Sequence, residues 1–149
     1  MIKMDGIIKN NKIIQVNPMY KEELLSYLSN NKIKYLHLTD FSMENSINIC
    51  DFINKYDDMI VNEKMLSIFN ISGSQYKKNY SRNLFNNFIK NKIFVENFNL
   101  IVYEFNCNNS INFVSNIFLN TRVYGIKTIL IHQYKIPPGL RTNLDVVLD

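Results

Sequence analysis

Tryptophan and alanine are absent from the 149 residues, and glycine (four), proline (three), cysteine (two) and histidine (two) are scarce. Each scarcity excludes something. Gly6, Gly73, Gly125 and Gly139 stand alone, so no phosphate-loop or dinucleotide-binding glycine pattern is present. Cys50 and Cys107 are too few for a disulfide framework or a zinc site, which points to a reducing compartment. No run approaches the roughly 18 apolar residues of a membrane span. The start, Met1-Ile2-Lys3-Met4-Asp5-Gly6, lacks the apolar stretch of a secretory leader. The expectation is a cytoplasmic protein with no membrane contact, no metal and no cofactor. No stretch reads as a linker, which predicts one domain over residues 1–149.

What is abundant is as lopsided. The chain holds 24 Asn, 21 Ile and 14 Lys, all residues of AT-rich codons, which points to an AT-rich genome or a horizontally acquired gene. Hydrophobic residues make up 46% and charged residues 20%, a globular composition. The formal charge of +4 conceals a division. Residues 36–63 carry −5 (Asp40, Glu44, Asp51, Asp57, Asp58 and Glu63 against Lys55), and residues 64–92 carry +6 with no acid. Either these segments pair with each other, or they polarise a surface that orients a charged partner.

The apolar pattern predicts an α/β fold. Two short apolar runs around Asn10-Asn11 read as an N-terminal β-hairpin. Asn17-Pro18 then opens a helix over 18–29. After it, strand-like segments begin at residues 33, 66, 100 and 126, each spaced apolar, two residues, apolar, one residue, apolar. Helical patterns follow the first three, over about 44–56, 76–91 and 110–123. Such βα repeats predict a mainly parallel sheet of four to five strands, with Leu144 to Leu148 as a last short strand. The sheet is either an ordinary open α/β sheet or a short curved one with helices on one face.

The residues flanking the apolar anchors align as His37, Asn70, Glu104 and Leu130, and again as Thr39, Ser72, Asn106 and His132. A polar ladder of this kind argues for one exposed sheet face, since a sheet covered on both sides reads as nearly continuous apolar strands. The register resembles the leucine-rich-repeat strand, L-x-x-L-x-L-x-x-N, with Asn108 at the closing asparagine. Leu100 to Gln133 also resembles the middle of an anti-sigma-factor antagonist (STAS) domain. That likeness implies a regulatory interaction domain whose phosphorylated serine would fall at Asn109-Ser110 or Ser72-Gly73-Ser74. An enzyme is the other alternative, with Asp40 and His132 as an acid/base pair at strand ends.

As a type, the chain resembles the immunity proteins of bacterial contact-dependent growth inhibition: small, single-domain, AT-biased and without a catalytic set. That resemblance implies a non-enzymatic partner of a cognate toxin domain, such as a nuclease, bound as a monomer in a 1:1 complex so that the toxin's active site is blocked. No direct contact with nucleic acid is expected. The contact surface expected is the exposed sheet face with the neighbouring acids: His37, Thr39, Asp40, Glu44, Asp57, Asp58, Asn70, Ser72, Glu104, Asn106 and His132. Tyr35, Phe41 and Tyr134 are the candidate aromatic anchors.

Overall fold

The computed structural model describes residues 3–54, 60–119, 121–133 and 136–149. Its centre is a six-stranded, all-parallel sheet. The strands are β1 (Ile13–Val16), β2 (Tyr35–Thr39), β3 (Ile47–Asn48), β4 (Leu100–Glu104), β5 (Lys127–Ile131) and β6 (Val146–Leu148). They lie in the order β3-β2-β4-β5-β1-β6. The parallel α/β architecture expected from the repeats is therefore present, and the expected strands near 33, 100 and 126 form β2, β4 and β5.

Helices cover both faces. One layer holds α1 (Met4–Asn10) and α2 (Lys21–Asn30), whose Met4, Ile8, Leu24 and Leu28 pack on Ile14, Val16, Val102 and Ile129. The other holds α5 (Gly73–Phe94) and α6 (Asn108–Leu119), whose Phe85, Ile89, Val114 and Phe118 pack on Leu36, Leu38, Ile101 and Tyr103. Strand direction explains the division. The connection from β1 to β2 runs one way along the sheet, whereas those from β2 to β4 and from β4 to β5 run the other way. Right-handed crossovers in opposite directions place their helices on opposite faces. Of the two sheets expected, the ordinary open α/β sheet, covered by helices on both faces, is the one present, and the one-sided curved sheet is not.

Two further expectations are corrected. Residues 4–10 form α1 and not the first strand of a hairpin. Met4 and Ile8 lie four apart, so a helix buries both on α2, while Ile13–Val16 alone enters the sheet, buried between β5 and β6. The second expected strand, from residue 66, is helical: α4 spans Glu63–Ile68. The Asn62 side chain accepts from the Met65 amide and starts it; Asn70, at φ 56°, follows its end. The Ser72 side chain then caps α5 by accepting from the Gln75 amide.

Smaller elements complete the chain. A 3-10 turn, Pro18–Tyr20, precedes α2, and Asn17 caps it as expected by accepting from the Met19 amide. Among the described residues of the helix expected over 44–56, Ile47–Asn48 form β3 and Cys50–Asn54 form α3. After α6 comes α7 (Thr121–Tyr124), and α8 (Pro138–Arg141) stands between β5 and β6.

Candidate functional site

In open parallel sheets, sites gather beyond the carboxyl ends of the strands. His37, Thr39, Asp40, Glu104, Asn106 and His132 lie in or beyond these strands, and hydrogen bonds join His37 to Glu104 and Asp40 to Asn106. Glu104, at the end of β4, accepts from Lys21 Nζ at 2.7 Å and lies 2.9 Å from His37 Nε2. Lys21 comes from the start of α2, so the helix closes over the polar pair. Burial raises the pKa of Glu104, but the hydrogen bonds from His37 and Lys21 outweigh it and hold the carboxyl below its ordinary value. Glu104 is therefore ionised, and His37 donates to it.

Asp40, just past β2, is occupied as fully. Its Oδ1 accepts from the Asn106 amide at 2.9 Å, and its Oδ2 accepts from the Cys107 amide at 3.0 Å and the Ser110 hydroxyl at 2.9 Å. Asp40 thus pins the turn from β4 into α6. Backbone amides at such a turn are where an anion would bind in a nucleotide-binding α/β fold; here the protein's own carboxylate fills the place.

His132, after β5, is buried, and its Nδ1 lies 3.2 Å from the Phe105 carbonyl. A carbonyl only accepts, so Nδ1 carries the proton. The carboxylate of Asp40 is taken up by the 106–110 turn, and among the described residues no hydrogen bond joins it to His132, the partner it has in the alternative acid/base reading. Among the described residues no group of three or more His, Cys, Asp or Glu is placed to hold a metal ion.

The expected exposed sheet face is corrected at its centre. His37, Thr39 and His132 are buried, and Glu104 is mostly covered. The Thr39 hydroxyl donates to the Phe41 carbonyl at 2.7 Å, within the turn that leaves β2. The covered members of the ladder are polar because they bond within the chain: His37 and Glu104 to each other, Glu104 to Lys21 of α2, and Thr39 and His132 to backbone carbonyls. Glu44, Asn70, Ser72 and Asn106 are exposed; Asp57 and Asp58 lie outside the described residues. Asn70 and Ser72 serve the break between α4 and α5, away from the sheet ladder in which they were expected. Tyr35 and Phe41 are half-buried, and Tyr134 lies outside the described residues.

An apolar surface was missed. Ile60 is 95% exposed, Met65 59%, Ile68 76% and Phe69 66%. Met65, Ile68 and Phe69 follow helical spacing of three and four, so they form one ridge along α4, which contributes no buried residue to the core. The signal was already in the sequence, in the apolar run Met65-Leu66-Ser67-Ile68-Phe69. Burial in a sheet was the wrong inference from it.

No family model, curated protein or solved structure matches this chain.

Proposed function

We propose that this is a non-enzymatic cytoplasmic binding protein of the immunity type, which neutralises a cognate bacterial toxin domain by covering its active site in a 1:1 complex. The observation that carries the reading is the apolar ridge of Met65, Ile68 and Phe69 with Ile60 before it. Side chains of this size left in water in a group mark a contact surface, since lone exposed apolar residues are ordinary but clusters are not. The ridge supplies the buried anchors that a tight interface needs and that the sheet edge lacks. The closed polar edge favours binding over catalysis, because Asp40 and Glu104 are already engaged by the protein itself.

The contact surface is thus moved from the sheet face to α4 and its surroundings. The exposed Glu44 and Asn106 remain candidates for the polar rim. The test is co-expression with the product of the toxin gene adjoining its own, followed by size-exclusion chromatography. The pair should co-elute, and the double variant Met65→Asp, Phe69→Asp should weaken the complex by about a hundredfold or more. Failure of the native pair to associate, or an unchanged complex with the double variant, would contradict the reading.

A further inference from the structure

At the opposite end of the sheet from Asp40 and Glu104, the amino ends of the strands border a cavity. It measures about 590 Å³ and lies where β2, β4 and β5 begin, beside the ends of α1 and α2. One wall is apolar, made by Ile8, Tyr27, Ile33 and Leu100. Ile8 and Leu100 belong to the core layer that packs α1 and α2 on the sheet, so this wall is held in place by the fold. Gly125, at φ 69° in the turn into β5, also lines the cavity, with open space where a Cβ would stand.

The polar lining is rich in lysine, and among the described lining residues there is no acid. Most of these lysines are accounted for. Lys9 pairs with Asp5 at 3.4 Å, and Lys34 Nζ donates to the Glu96 carbonyl. Lys12 and Lys32 are exposed, where water serves their charge. Lys127 differs. It is half-buried, and its ammonium donates to the Ile8 carbonyl near the end of α1. That carbonyl takes one of three N–H donors and carries no charge to set against the ammonium. Burial first, and the charge of Lys12 second, lower the pKa of Lys127 below its ordinary value. Both effects oppose the charged form, and no carboxylate of the lining offsets them.

We propose that this cavity binds a small organic monocarboxylate, its carboxylate on Lys127 and its apolar body against Ile8, Ile33 and Leu100. One negative charge matches the one half-buried cation that lacks an acid. Arrival of a carboxylate would turn a costly half-buried ammonium into a charge-assisted pair. The apolar wall disfavours ligands that are polar throughout, since they would lose water there without replacement. The volume suits a small organic molecule.

Titration calorimetry of the whole chain with octanoate, 1-octanol and acetate tests this. Octanoate should bind saturably, and the other two should bind at least about tenfold more weakly, each lacking one half of the ligand. Lys127→Met keeps the length of the side chain and removes its charge; it should weaken octanoate by about tenfold and leave octanol unchanged. Ile33→Ser, on the apolar wall, should weaken octanoate too, and serves where Lys127→Met does not fold. Lys90→Gln, exposed on α5 outside the cavity, should leave binding unchanged. The proposal is overturned by no saturable binding of octanoate, by octanol or acetate binding as tightly, by unaltered affinity in both cavity variants, or by an equal loss with Lys90→Gln.

Discussion

The carboxyl edge of the sheet and the surface around α4 are opposites. At the edge, Asp40 accepts three hydrogen bonds and Glu104 lies against Lys21 and His37, all from within the chain. On α4, Met65, Ile68 and Phe69 stand in water. Polar residues at strand ends look functional in a sequence, and apolar residues look structural. In this molecule the assignments are reversed: the polar cluster is bonded within the fold, and the apolar ridge is left exposed, the surface on which the proposed binding function rests.

The contrast can be broken by substitution. The largest effect on stability should come from Asp40→Ala, which strands two amides and the Ser110 hydroxyl and should cost about 2–3 kcal/mol in chemical denaturation. Met65→Ser with Phe69→Ser should change stability by no more than about 0.5 kcal/mol. If the ridge variant is the more damaging of the two, α4 is part of the core and the contrast fails.

A smaller effect, of opposite sign, is expected within the core. The Tyr103 hydroxyl is buried with no hydrogen-bond partner among the described residues, and burial raises its pKa far above the ordinary value. Tyr103→Phe removes an unsatisfied group without leaving a cavity, and should raise stability by about 1 kcal/mol. A loss of stability would mean that the hydroxyl has a partner.

The edge should also show in the pH dependence. The pKa of Glu104 is lower in the folded chain than its ordinary value of 4.5, which the unfolded chain is expected to show. Its contribution is therefore complete above about 4.5 and is lost as pH falls through the lower folded value. Denaturation measured from pH 6 to pH 3 should show a shallower acid loss for Glu104→Gln than for the native chain. Identical slopes would mean that Lys21 and His37 do not stabilise the carboxylate.

The parallel strands were legible because β2, β4 and β5 are apolar runs followed by turn residues, and both the α/β class and the βα order follow from them. What misled was the ambiguity of short patterns. Met4, Ile7 and Ile8 suit a strand or a helix, and only packing on α2 decides between them. Residues 66–71 repeat the strand spacing, yet the caps at Asn62 and Ser72 break the chain into helices and leave the apolar side chains outside. His37 and Glu104 looked exposed because their partner Lys21 lies 83 residues from Glu104, beyond the reach of any local pattern. Of the candidate site, the edge residues were found but their inward pairing was not.

In the proposed complex α4, and not the strand edge, meets the partner. Hydrogen–deuterium exchange of the chain, free and in complex with the proposed cognate toxin domain, tests this directly. New protection is expected to concentrate in residues 60–76, with β4 (residues 100–104) unchanged. Protection at 39–46 and 104–110, with 60–76 unaffected, would contradict it.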